Sequence, residues 1–144
     1  MRIGINTGEV VAGSGVGTTV YEQGRYDEAL RLSEEAERLG AADDVMTQCE
    51  WRALRARVFA RHGRYDEAER LAREAVAIAR QTDYVEETAG VVTSLAEVLE
   101  LAGDPREAAV AYADALALHE QKGNVVRASA VRERLERLRD VERE

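Results

Sequence analysis

A six-residue block that recurs about every 40 residues constrains the fold of this 144-residue chain more than any other feature. The letters GRYDEA occupy residues 24–29 and return at 63–68, and the looser form GDPREA occupies 103–108. Self-similarity at a period of roughly 20–50 residues is typical of chains that stack small, similar units. We therefore interpret the chain as an array of repeated units.

Each block marks a corner between two helices. A glycine such as Gly63 can adopt the left-handed conformation that ends a helix and satisfies its last carbonyls. Acidic residues then follow, as at Asp66 and Glu67, close to the positive N-terminal end of the next helix. Pro105 replaces the tyrosine in the third block and suits a first helical turn. The alanine that ends each block is small because two antiparallel helices approach closely there.

Apolar side chains between the blocks recur at three- and four-residue spacing, which predicts amphipathic helices. Abundant Ala, Leu, Glu and Arg with a single proline favour the same structure. The spacing of Asp83 and Glu86 indicates a capping box at the start of one helix. We expect helices at about 25–39, 44–62, 65–81, 84–102, 105–122 and 124–140.

Charge and residue content exclude several classes of function. A formal net charge of −8 repels phosphate backbones and acidic lipid, so we expect neither nucleic-acid nor membrane binding. Because Cys49 is the single cysteine, no disulfide can form within the chain, which indicates a reducing cytoplasm. We interpret Cys49 itself as an inert small residue. We expect Trp51 to pack against other side chains. We expect His62 and His119 to lie on the surface or at helix ends. Since no nucleophile with a base, metal cluster or carboxylate pair can be assembled, we expect no enzyme and no cofactor.

The corners resemble those of the tetratricopeptide repeat. That family places a large residue, a small residue and a glycine at the turn. Phe59, Ala56 and Gly63 occupy those places here, and Leu99, Ala96 and Gly103 occupy them one unit later. The resemblance implies an all-α array of about three antiparallel helix pairs that binds a protein or peptide in a concave groove. Carried over by register, it implies these groove residues: Glu50, Leu54, Arg57, Arg61, Thr93, Ser94, Glu97, Glu133, Arg134 and Arg137.

A closer resemblance concerns the order of residues along the array. Asp43-Asp44, Gln48, Trp51-Arg52, Thr82-Asp83 and Lys122-Gly123-Asn124 are similar to the C-terminal repeats of large bacterial signalling proteins. In those proteins the repeats follow a class III nucleotide cyclase domain and an ATPase domain.

Residues 2–13 do not fit the repeat and predict a strand, a tight turn at Asn6-Thr7-Gly8 and a strand. They resemble a hairpin of class III cyclases, but the catalytic aspartates of those enzymes have no counterpart here. Residues 12–19 imitate a phosphate-binding loop, yet Thr18 stands in place of its lysine, which favours a flexible linker. We thus divide the chain into an N-terminal segment, 1–20, and a repeat domain, 21–144.

Glycines at 13, 15 and 17 weaken the helix that the first unit needs, so we expect at most a turn or two near Thr19–Gln23. The next helix then exposes an apolar stripe, and we predict that a second copy of the chain covers it in a homodimer. The stripe consists of Ala29, Leu32, Ala36 and Leu39.

Two classes of function remain. The first is a non-catalytic protein-interaction or self-assembly module. The second is a piece of a nucleotide-signalling enzyme whose catalytic parts lie elsewhere.

Overall fold

The computed structural model describes residues 16–41 and 43–143, and these form seven α-helices. The predicted hairpin at 2–13 lies outside the described residues. All six predicted helices are confirmed, with starts within one residue and ends within three. The helices are α1 (Val16–Glu22), α2 (Tyr26–Leu39), α3 (Val45–Arg61), α4 (Tyr65–Ala79), α5 (Val85–Leu101), α6 (Pro105–Lys122) and α7 (Val125–Arg143).

Four of the corners share one hydrogen-bonded turn around a left-handed glycine. At Gly63, φ is +80°, and its N–H donates to Ala60 O at 3.1 Å while Arg64 N–H donates to Phe59 O at 2.9 Å. The same pair of bonds closes α1, α5 and α6 at Gly24, Gly103 and Gly123. This pattern satisfies carbonyls that a helix end leaves without partners, and it confirms the role predicted for the repeated glycines.

The helices pack as three antiparallel pairs, α1–α2, α3–α4 and α5–α6, with α7 closing the array. The alanine that ends each block, at positions 29, 68 and 108, has no exposed surface, as its small size predicted. The main apolar cluster runs from α2 to α7 and includes Trp51, Leu99 and Tyr112. A second cluster joins α1, α2 and α3 through Val20, Tyr21, Ala29, Leu54 and Val58.

Helix α1 corrects the sequence-based interpretation of residues 16–20, which are helical and not part of a linker. Gly17 is buried against Leu54, and a Cβ added to it would come within 2.6 Å of Leu54 Cδ2. The glycine thus costs helix propensity but permits α1 to approach α3 closely. The α1 helix is therefore the packing partner that α2 was expected to lack.

The apolar stripe expected on α2 is therefore largely covered within the chain itself. Ala29 has no exposed surface and Ala36 retains 2%, so the prediction that they are exposed is wrong. Leu32 is partly buried and packs against the α1 cluster, whereas Leu39 is 57% exposed. Self-association through this helix stays a prediction whose support is reduced to Leu39.

The predicted capping box at α5 is also wrong. Asp44 and Asp104 do cap α3 and α6, each accepting a hydrogen bond from the backbone three residues on. The residue that precedes α5, by contrast, is Tyr84, with no side-chain cap. Glu86 points instead to the neighbouring helices, where it accepts hydrogen bonds from Asn124 and pairs with His119.

We predict opposite effects for alanine at two glycines, neither of which has an atom within 4 Å of an added Cβ. Gly63→Ala should lower the free energy of unfolding by about 1–2 kcal/mol, because alanine resists a left-handed backbone. Gly90→Ala, inside α5, should raise it by about 0.5–1 kcal/mol, because alanine favours the helix. Urea unfolding followed by circular dichroism measures both, and effects of the same sign would contradict this account.

Candidate functional site

A groove of about 840 Å³ runs along one side of the array. It is lined mainly by the first helix of each pair and by α7, which we call the inner helices: α1, α3, α5 and α7. The inner helices lie side by side because the turn glycines direct every second helix back to the same face. Among the predicted groove residues, all but Glu133 and Arg137 line this groove. Partner binding by these residues stays a prediction.

The carboxylate of Glu97 is the centre of the polar lining at one end of the groove. Arg61 Nη2 donates to its Oε2 at 3.2 Å, and the Tyr21 hydroxyl donates to the same oxygen. Arg134 and Arg57 lie beside Oε1, with Nη1 at 3.8 Å and 4.0 Å respectively. Three guanidinium groups thus share one carboxylate, which leaves an excess of positive charge here in an acidic protein.

This arrangement differs from the expectation for Arg57 and Arg61. The sequence suggested that these two side chains, one turn apart, would hold a carboxylate of a partner. In the structure a carboxylate of the chain itself, Glu97, already lies between them, and it is only 9% exposed. Burial gives these charge-assisted contacts more weight than exposed ion pairs have, because water screens them less.

Tyr21 attaches α1 to this cluster and was not among the predicted site residues. Its ring lies under the Arg57 guanidinium, 4.5 Å from the centroid, and Arg61 Nε donates to its hydroxyl at 2.8 Å. Burial, followed by the hydrogen bond to Glu97, raises the pKa of Tyr21 well above its usual range. The phenol therefore stays protonated and remains a donor to Glu97.

The residues of this cluster occupy equivalent places in the repeat. Thr18, Arg57 and Glu97 each stand six positions before a turn glycine. Arg57 Nη2 donates to Thr18 Oγ1 at 3.0 Å, so the three form a polar ladder across α1, α3 and α5.

One signal in the sequence could have predicted α1. Gly17 stands seven positions before Gly24, where the other units have the small residues Ala56 and Ala96.

Glu50 lies two turns before Arg57 on α3 and has a different environment. Its Oε2 is buried without a hydrogen-bond partner among the described residues. Burial, and then the negative charges of Asp44 and Glu87, raise the pKa of Glu50 to about 7. This end of the groove therefore carries a carboxylate that no cation of the described chain neutralises.

Buried polar contacts also join α5, α6 and α7 beside the groove. His119 lies in the last turn of its helix, one of the two positions expected for it, but it is only 2% exposed, and its Nδ1 lies 2.8 Å from Glu86 Oε1. Although burial opposes it, hydrogen bonds from His119 and Asn124 lower the pKa of Glu86. Trp51, only 6% exposed, confirms its predicted packing role.

The described residues give no structural support for two other kinds of site. Cys49 is fully buried, and burial raises the pKa of its thiol to about 11, so the reactive thiolate is scarce at neutral pH. Within 16–41 and 43–143, no three His, Cys, Asp or Glu side chains lie close enough together to hold a metal ion. In the same ranges, each helix is too short or too polar to cross a bilayer.

We predict that the Glu97 cluster contributes strongly to stability. Glu97→Ala should lower the free energy of unfolding by about 2–4 kcal/mol, because it leaves buried Arg57 beside two other cations without a counter-charge. Glu69→Ala is the matched control, since its exposed pair with Arg73 is worth about 0.3–0.5 kcal/mol. Similar losses in both variants, measured by urea unfolding, would contradict the assignment.

Glu50 should destabilise the fold once it ionises. Its pKa is higher in the folded chain, about 7 against an ordinary 4.5, so folding favours the protonated form and the stability cost grows as pH rises through that window. Glu50→Gln removes the charge and should be about 1–2 kcal/mol more stable than the parent chain at pH 8. The free energies of unfolding of Glu50→Gln and of the parent chain should converge near pH 4.5. A Glu50→Gln variant that is less stable than the parent chain at pH 8 would refute this reasoning.

Comparison with known protein families matches residues 47–121 to the tetratricopeptide repeat. None of the curated proteins compared matches the chain. The matched segment extends from the first turn of α3 to the last turn of α6, which is more than half of the chain and includes two of the three glycine-led corners between paired helices. The chain therefore belongs to the tetratricopeptide repeat family, whose helical arrays typically bind other proteins and are not catalytic.

Proposed function

We propose that this chain is a protein-interaction module whose groove binds an extended peptide segment of a partner protein. The observation that carries the proposal is the groove itself, an open channel of about 840 Å³ along the inner helices. Its lining combines apolar side chains such as Leu54 and Val91 with charged groups such as Glu50 and Arg57. Peptide grooves need both, because apolar contact supplies affinity and a few placed polar groups fix orientation.

The shape of the groove also favours an extended ligand. Its lining draws on all four inner helices, so a bound segment of several residues contacts more than one repeat at once. The α1 helix closes one end of this row, and α7 closes the other. A ligand of several residues fits such a channel better than a single small molecule.

Filling the groove without disturbing the fold tests the proposal. Gly90 lines the groove on α5, and nothing lies within 4 Å of an added Cβ. Peptides are selected from a random library against the full chain, and their affinity is then measured for Gly90→Trp. We expect binding to fall at least about 10-fold, because the indole occupies the channel.

The matched control is Ala77→Trp, which adds the same indole at an exposed position on α4, away from the groove lining. It should leave peptide affinity unchanged. Failure to select any peptide, or equal loss of affinity in both variants, would refute the proposed function.

A narrower proposal places the module in a bacterial, cytoplasmic signalling protein, as a piece of a nucleotide cyclase and ATPase regulator. It rests on the sequence resemblances given above, including the cyclase-like residues 2–13, which lie outside the described residues. A cyclase or ATPase reading frame beside the gene supports it, and the absence of both from an assembled genome counts against it.

A further inference from the structure

We infer that the groove selects a charge pair: a basic side chain and a carboxylate about three residues apart on the bound segment. This inference rests on the proposed function and specifies the ligand of the same groove. It starts from two buried polar atoms of opposite charge type, Glu50 Oε2 and Arg57 Nε. Both lack a hydrogen-bond partner among the described residues, and both side chains line the groove.

Two such atoms in one groove call for a physical reason. A buried polar atom without a partner destabilises the fold, so native proteins contain few of them. Arg57 is 9% exposed, and its Nη2 donates to Thr18, whereas its Nε has no hydrogen-bond partner among the described residues. A ligand that brings an anion to the Arg57 guanidinium and a cation to the Glu50 carboxylate compensates the charges of both groups at once.

The charges around the two atoms have opposite signs. Near Glu50 the neighbours that act on its pKa are the carboxylates of Asp44 and Glu87. Near Arg57, the guanidinium groups of Arg61 and Arg134 outnumber the single carboxylate of Glu97. Glu86 and Arg127 also line the groove, but His119 and Asn124 bind Glu86 and Arg127 acts on Glu86, so neither group offsets the charge of Glu50. The first end therefore favours a cation and the second favours an anion.

The spacing follows from helix geometry. Glu50 and Arg57 are seven residues apart on α3, which is about 10 Å along the axis at about 1.5 Å per residue. An extended peptide covers the same distance in about three residues. Leu54 lies between them on the same face and is part of the groove lining. The matching segment thus has a lysine or arginine, two intervening residues and an acidic residue, in one of the two chain directions.

Peptide selection on the full chain tests the inference directly. Peptides recovered from a random library at pH 7.5 should be enriched in a basic and an acidic residue three positions apart. The peptide with the highest affinity is then synthesised, together with a version in which norleucine replaces its basic residue. Glu50→Gln should weaken the first peptide at least about 10-fold and leave the second nearly unchanged.

Controls separate charge recognition from general effects. Glu34→Gln and Arg31→Gln alter exposed charges on α2 that do not line the groove, and neither should change affinity. Glu50→Gln is expected to be more stable than the parent chain at pH 8, so its loss of binding cannot be attributed to unfolding. Arg57→Gln should weaken the parent peptide but not a version with asparagine or glutamine in place of its acidic residue.

The outcomes distinguish the two proposals. Selected peptides that lack the charge pair, or that bind Glu50→Gln as well as the parent chain, overturn the inference while the proposed function stands. If no peptide is recovered, the proposed function fails, and the inference fails with it.

Discussion

The left-handed glycine turns are the constraint on which the rest of this structure depends. Because Gly24, Gly63 and Gly103 each close an inner helix at the same point of the repeat, equivalent positions of successive inner helices meet side by side. Contacts between Thr18 and Arg57, and between Arg57 and Glu97, are direct results of that register. The groove and its polar ladder are thus built by local turn chemistry repeated at a fixed interval.

The groove combines groups that stabilise the fold with groups that do not. Glu97 is surrounded by donors, and with Tyr21 it fastens the short α1 helix to the array. Glu50 has no such compensation, and its ionised form works against folding. Proteins commonly concentrate such unfavourable groups at binding sites, where a ligand supplies what the fold lacks. The contrast between these two glutamates is the main physical argument for the charge pair that we propose on the ligand.

The sequence predicted the helices because periodic alanines, apolar stripes and glycines act locally, whereas the groove positions came from the resemblance to the tetratricopeptide repeat. It failed where one position depends on a distant one. Glycine content argued against α1, although Gly17 falls on the repeat's small-residue position, and Tyr21 was missed with it. The burial of His119 was missed because its partner, Glu86, lies on another helix and outside the repeat period. A turn can be predicted from residues that are adjacent in the sequence, whereas a buried pair of side chains on two different helices cannot.

The polar ladder also distinguishes three helix pairs whose corners are nearly identical. Thr18, Arg57 and Glu97 are a hydroxyl, a cation and an anion at one structural position, and each suits its own neighbours. Exchanging two pairs, or inserting a copied one, would place like charges or unmatched groups in contact. The array therefore specifies the order of its units, because its charges oppose both shuffling and lengthening.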